Sequence, residues 1–287
     1  VGIMIKLKYD PVAYVLKNGN LHHKLRVFLA VSREAGCQPL IEEIKSLQNP
    51  DGGWPWQLER GKPSRTMDTA RTIQLLIRAG EDKGSRVIKG GVNFLKARQR
   101  ADGGWLDEDP ELKGLIPEEW DWTSTEYSGT GTTAEVINAL LAAGHPRDAR
   151  IERALEFLRR AQNEEGGWPT HIGPDYPYGT DIACMDDIVR AFINAGEPKR
   201  SHILKRAVDA LLQHREGWKE PVGASSALCV FLTLGYPTEH PYIQELIQNL
   251  IEAQRPDGSW NWFGNLPSNP GQTAHCIEQL VRCGMEI

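Results

Sequence analysis

One short sentence of sequence is written five times in this chain, and a repeat of that kind constrains the architecture before any single residue is interpreted. Gln162-Asn-Glu-Glu-Gly-Gly-Trp168 is matched by Gln99-Arg-Ala-Asp-Gly-Gly-Trp105, Gln48-Asn-Pro-Asp-Gly-Gly-Trp54 and Gln254-Arg-Pro-Asp-Gly-Ser-Trp260, with a worn copy at Gln213-His-Arg-Glu-Gly-Trp218. Each copy follows an apolar/charged helical pattern, so a helix ends near the glutamine. The Asp/Asn-Gly pair then supplies a positive φ, and the tryptophan folds back as an apolar plug. Gln48, Gln99, Gln162, Gln213 and Gln254 are expected to hold the turn backbone by side-chain hydrogen bonds.

A second set of helices alternates with the first. Thr69 to Gly80, Thr133 to Gly144, Met185 to Gly196 and Thr273 to Gly284 share one length and one terminating glycine, and Leu25 to Gly36 and Ser226 to Gly235 fit the same frame loosely. Glycine there is a helix stop. These helices are rich in small and apolar residues and should be inner. The outer set spans roughly 11–17, 39–47, 85–98, 150–161, 203–213 and 241–253, amphipathic as surface helices are. Six inner and six outer helices close naturally into an all-α α/α toroid, an α6/α6 barrel that spans 1–287 as one domain. Closure lets the first and last repeats bury each other without a capping repeat.

The long joints, which carry the tryptophan turns, lead into the inner helices, and long loops gather binding and catalysis. The mouth is therefore expected where inner helices begin, with Trp56, Trp120, Trp122, Tyr127, Tyr176, Tyr178, Trp262 and Phe263 contributed by its loops. The longest loop, 106–130, carries Asp107, Glu108, Asp109, Glu111, Glu118, Glu119 and Asp121, and reads either as a lid or as a solvated insertion.

Aligning the inner helices on their glycines places Lys24, Asp68, Thr132, Cys184, Ser225 and Gln272 at one level. Asp68 and Thr132 read first as N-caps and otherwise as rim contacts to a ligand. Asp181-Ile-Ala-Cys184-Met-Asp186-Asp187 is denser: three carboxylates and a thiol, of which one can cap. A buried carboxyl without a partner stays protonated, as a general acid must, so Asp181, Asp186 and Asp187 are candidate acids. His275 is a single histidine on an otherwise apolar helix, and His22 and His23 open the first inner helix.

The five Gln-to-Trp sentences resemble the QW repeats of squalene-hopene and oxidosqualene cyclases. The whole chain is similar to one α/α toroid of the terpenoid cyclase and protein prenyltransferase superfamily. In such cyclases the middle residue of an Asp-x-Asp-Asp motif before a Thr-Ala inner helix protonates the isoprenoid, and a Thr-Ala-His of the next inner helix assists. Thr273-Ala274-His275 resembles the second element, whereas the preceding helix begins Val222-Gly-Ala-Ser225 and Asp181-Ile-Ala-Cys184 keeps only the first Asp of the motif. The resemblance implies a protonation-initiated cyclisation of a polyprenyl chain with no cofactor. The zinc-dependent prenyltransferases offer another comparison, for which Cys184, Asp186 and His275 would be the ligands. A non-catalytic toroid that binds an isoprenoid, another lipid or a peptide is the remaining alternative, so enzyme and binder both stay open.

The formal net charge is −5 with dispersed Lys and Arg, which removes an electrostatic case for nucleic acid. The five cysteines have no paired spacing and read as reduced thiols of a cytoplasmic protein. No apolar run has membrane-spanning length, and the opening residues lack a signal-peptide core. The implied partner is an apolar isoprenoid-like small molecule, with no obligate protein partner evident. A peripheral membrane contact is compatible with such a substrate, although no basic amphipathic stretch advertises one.

Overall fold

In a computed structural model of the protein, residues 7–174, 176 and 179–287 are described; Tyr178, expected at the mouth, lies outside them. Twelve α-helices dominate: α1 (Pro11–Asn18), α2 (Leu21–Ala30), α3 (Cys37–Ser46), α4 (Thr66–Arg78), α5 (Arg86–Ala97), α6 (Thr130–Ala142), α7 (Ala149–Ala161), α8 (Ile182–Asn194), α9 (His202–Gln213), α10 (Pro221–Leu234), α11 (Pro241–Ala253) and α12 (Pro270–Arg282). Two short strands, β1 (Trp105–Leu106) and β2 (Ser128–Gly129), pair antiparallel and pin the two ends of the longest loop.

The chain divides into two compact units, Ile44–Leu212 and Val1–Glu43 with Gln213–Ile287. In the first, α6 packs between α4 and α8, with α5 and α7 also against it. From Thr130 to Leu140 every residue of α6 is buried, which is why its composition is small and apolar rather than amphipathic. In the second unit α12 packs on α1, α2 and α10, and α10 on α11. The N-terminal and C-terminal helices thus pack against each other there.

The repeated turn works as a three-way tie. Gln48, Gln99, Gln162 and Gln254 each donate from Nε2 to the carbonyl four residues on, at 2.8–3.2 Å. The same Nε2 groups also reach a carbonyl at or just before the first turn of another helix: Val87, Arg150, Ile203 and Tyr9 respectively. Trp54, Trp105, Trp168 and Trp260 donate from Nε1 to the carbonyl ten residues back, at 2.7–2.8 Å. Three of these tryptophans donate their backbone N–H to a threonine hydroxyl inside an inner helix: Thr69, Thr133 and Thr273. The first glycine of each copy is doubly required, because φ is +87° to +95° at Gly52, Gly103, Gly166 and Gly258 and a Cβ there would collide with a neighbouring carbonyl.

Three expectations need correction. Gln213 makes no side-chain hydrogen bond among the described residues and Trp218 Nε1 is buried without an acceptor, so the worn copy packs its ring without tying the backbone. The first inner helix stops at Ala30 rather than running to Gly36; Ser32, at φ +55°, makes the reversal that glycine makes elsewhere. Asp68 and Thr132 do not cap. They lie inside helices that begin earlier than the threonine pattern suggested, after Arg65 and Gly129, neither of which supplies a side-chain cap.

These differences set the value of each tryptophan. Trp105→Phe removes the indole hydrogen bond to the Leu95 carbonyl and leaves it only the Arg98 N–H, whereas Trp218→Phe removes no hydrogen bond. Urea denaturation should show Trp105→Phe as the more destabilising by ~1–2 kcal/mol; equal losses would mean that the indole bond contributes nothing beyond ring volume.

Candidate functional site

In the Ile44–Leu212 unit, the acidic run after β1 does not lie in solvent. Asp107, Glu108 and Asp109 are all buried. Strand pairing turns the chain inward, and each carboxyl meets a different partner. The Asp107 N–H donates to the Tyr127 carbonyl and its carboxylate accepts the Ser124 N–H at 3.0 Å. Glu108 takes both prongs of Arg65, Nε at 2.7 Å and Nη2, a bidentate pair that fixes orientation as well as charge. Asp109 accepts the N–H (2.6 Å) and the hydroxyl (2.8 Å) of Thr66. It caps α4 from outside, doing for that helix what its own first residues do not.

Burial and the neighbouring Glu108 hold the Asp107 carboxyl well above the usual aspartate range, against the Ser124 N–H and Arg65. Glu108 and Asp109 are raised less, again chiefly by burial, with Arg65 and Thr66 respectively opposing it.

Beside this run begins α8. Asp181 is its N-cap, accepting the Ala183 N–H at 2.9 Å and the Thr170 hydroxyl, and burial raises its pKa. Its charge is felt by Asp107, by Cys184 and by Tyr176. The Thr132 hydroxyl donates to the Asp107 carbonyl at 3.0 Å. The fold therefore brings Asp181, Thr132, Cys184 and Tyr176 to one place, together with Asp107, which the sequence offered only as part of an acidic loop. Tyr127 stacks on His171 with centroids 5.8 Å apart, and Tyr176 meets the same ring edge-on at 5.4 Å. Trp56, Trp120 and Trp122 form a ladder with centroids 5.9 and 6.0 Å apart, with Arg65 over Trp56 at 4.7 Å. Asp68 accepts the Gln57 N–H at 3.0 Å and faces Arg65 at 3.7 Å.

Asp186 and Asp187 are buried a turn further along α8. Asp187 pairs with Arg190 and lies 3.9 Å from Arg71. Burial and the charge of Glu135 raise its pKa, while Arg71 and Arg190 lower that of Glu135 against burial. One register carries this set: Arg71, Glu135 and Asp187 stand nine residues before Gly80, Gly144 and Gly196. That register lies about one turn further into each helix than the level of Asp68, Thr132 and Cys184.

In the other unit, Arg26 Nη2 lies 2.7 Å from His275 Nδ1 while its Nε pairs with Glu278. A guanidinium donates only, so Nδ1 accepts and the imidazole proton sits on Nε2. Trp262 is half-buried, its carbonyl accepting the Val222 N–H, and Phe263 is exposed. Among the described residues no three His, Cys, Asp or Glu side chains are arranged to hold a metal. Cys184 is a buried thiol whose pKa burial and Asp181 push up, and it donates to the Asp181 carbonyl at 3.2 Å; this does not favour the zinc alternative. No described helix is long and apolar enough to cross a membrane.

Residues 121–227 match the family described as squalene-hopene cyclase C-terminal domain. A probable squalene-hopene cyclase of Sinorhizobium fredii is 25% identical over 246 residues, 73% of this chain and 36% of that one. The squalene-hopene cyclase of Zymomonas mobilis is 26% identical over 266 residues, 76% of this chain and 39% of that one. The type II terpene cyclase MstE of Scytonema superposes with a TM-score of 0.68 at 16% identity, covering 96% of each chain. In sequence and in fold the chain is similar to the terpenoid cyclase-like superfamily. Its fold class is the all-α α/α toroid of that superfamily, as the repeats implied. It spans well under half the length of these curated cyclases.

Because the folded-state pKa of Asp107 is raised, the protonated carboxyl favours the fold at low pH, and that contribution is lost as pH rises above the unfolded aspartate value of ~3.9 toward the folded one. Asp107→Asn should therefore gain thermal stability relative to the parent progressively from pH 4 to pH 8. A difference that stays flat with pH would show that Asp107 is ionised as easily as a surface carboxylate.

Proposed function

We propose that the chain catalyses a protonation-initiated cyclisation of a polyprenyl substrate, with Asp107 as the proton donor. The observation that carries this reading is the buried Asp107 carboxyl, whose pKa burial and Glu108 push well above the usual aspartate range, on a residue whose carbonyl is bonded by Thr132 near the start of α6. The resemblance places its acid at the same end of an inner helix, on a position this chain fills without one. Asp107 supplies the acid from the turn instead.

One Asp107 oxygen accepts the Ser124 N–H, so the proton sits on the other and is directed to an alkene carbon. The carboxylate left behind keeps the Ser124 bond and gains from Arg65, whose charge already acts on it. Asp181, a second carboxyl of raised pKa nearby, disfavours a premature second charge and is the alternate donor. The carbocation is stabilised by the faces of Trp56, Trp120, Trp122, Tyr127 and Tyr176. Loss of a proton from the cyclised cation closes the cycle, with that proton returned to Asp107 through solvent, so the reaction is an isomerisation without net redox change. Asp187 is assigned to holding Arg190 and Arg71. His275, neutral with its proton on Nε2, acts as a hydrogen-bond donor.

A prenyl substrate is supported by the relatives' activities and by MstE, described with geranylgeranyl dihydroxybenzoate bound as its substrate. Incubation with prenyl chains of graded length, analysed by gas chromatography and mass spectrometry, should yield cyclised isomers. Asp107→Asn should slow their formation by ~10²–10⁴-fold while melting remains cooperative. Undiminished product from Asp107→Asn would remove that residue from the chemistry. Thermal stabilisation by a prenyl chain with no product from the parent would make the protein a binder.

A further inference from the structure

Side by side on α4, α6 and α8 lies a polar array that a purely hydrocarbon substrate would leave without use. Arg71 donates from Nε to Glu135 Oε1 at 2.8 Å, and Gln74 donates from Nε2 to Glu135 Oε2 at 2.7 Å. Arg190 pairs with Asp187 and lies 3.8 Å from Glu135. Asn138 donates to the Asp187 carbonyl at 3.0 Å and accepts from Asn194 at 2.8 Å. Accessibility divides the array by sign. The Arg71 and Arg190 side chains are 43% and 32% accessible, whereas those of Glu135 and Asp187 are 5% and 10%. The carboxyl groups form the back of the array and the guanidiniums its front.

Arg71 spends its Nε edge on Glu135, and its Nη2 contact with Asp187, at 3.9 Å, is too long for a hydrogen bond. Its Nη groups make no hydrogen bond among the described residues. Glu135 is ionised, and burial with Glu135's charge keeps the proton on Asp187, so two fixed cations face one carboxylate. The nearby Asp186 adds to the pressure that keeps Asp187 neutral. What the array offers outward is positive charge with planar, paired N–H donors, the geometry that recognises carboxylate and phosphate oxygens.

We propose that Arg71, flanked by Arg190 and held from behind by Glu135 and Gln74, is a subsite for an oxyanion on the substrate, so that the preferred ligand is a prenyl chain bearing a carboxylate or a phosphate ester. The identity of the chain rests on the proposed function; the oxyanion subsite does not.

The test is equilibrium binding to the whole chain, by calorimetry and thermal shift, of geranylgeraniol, geranylgeranoic acid, geranylgeranyl diphosphate and inorganic diphosphate. At least one anionic prenyl chain should bind about ten-fold or more tighter than the alcohol, and which one does identifies the oxyanion. Arg71→Gln should erase that preference while leaving alcohol binding in place. Because Arg71→Gln exposes Glu135 without its partner, Arg71→Gln/Glu135→Gln serves as the charge-balanced variant and should erase it equally. Stabilisation by inorganic diphosphate that depends on Arg71, without any prenyl binding, would uphold the subsite and sink the isoprenoid reading. Equal affinity for alcohol and both anions in the parent, or an anion preference that survives in the double variant, would overturn the subsite.

Discussion

Everything in this structure hangs on a glutamine amide that serves two carbonyls at once. A helix ends with acceptors that have no partner of its own. Here the indoles of Trp54, Trp105, Trp168 and Trp260 answer part of that demand, while Gln48, Gln99, Gln162 and Gln254 bond the turn that follows and, with the same nitrogen, a carbonyl at or near the start of another helix. The tryptophan six residues on then plugs the corner and bonds back ten residues. Each corner thereby ties its own helix to another, and the corners at Trp54, Trp105 and Trp260 tie in an inner helix as well. Apolar burial supplies the driving force for packing, but it is not directional; the corners are what make the packing specific.

Rigid corners leave the segments after them free to carry chemistry. The longest, between β1 and β2, begins with three consecutive acids, and the fold treats each differently. Burial and Glu108 push the Asp107 pKa well up, Glu108 locks Arg65, and Asp109 caps α4. Adjacent like charges normally repel one another into solvent. They stay buried here because two of the three meet a cation or helix amides, and the third gives up its charge. A carboxylic acid with a raised pKa keeps a proton to give, and the proposed chemistry centres on Asp107 because the bond its carboxyl accepts is a backbone N–H, whereas Asp187 is engaged by the Arg190 guanidinium.

The polar layer deeper along α4, α6 and α8 changes what kind of surface these helices present. The expectation from composition is a wall of apolar and aromatic groups with polar residues at the rim only. The side chains nine residues before Gly80, Gly144 and Gly196 are instead Arg71, Glu135 and Asp187, interlocked across three helices. Arranging two arginines in front of buried carboxyls costs desolvation energy, and that expense has a use if the ligand carries charge of its own.

Helices, their order, their stops and the tryptophan corners were legible in the sequence because each depends on neighbours within about a dozen residues: a glycine at positive φ, an amphipathic stripe, a glutamine at fixed distance from its tryptophan. The tertiary structure alone decided which acid is neutral and which is paired. Asp107 gets its environment from Ser124, Tyr127 and Thr132, and Glu108 and Asp109 from Arg65 and Thr66, 43 residues earlier. The worn corner, the serine that replaces a glycine at Ser32 and the capping of α4 from another loop escaped the sequence on the same grounds. Local backbone preference is written residue by residue, whereas the protonation state of a buried group is set by whatever the fold places around it.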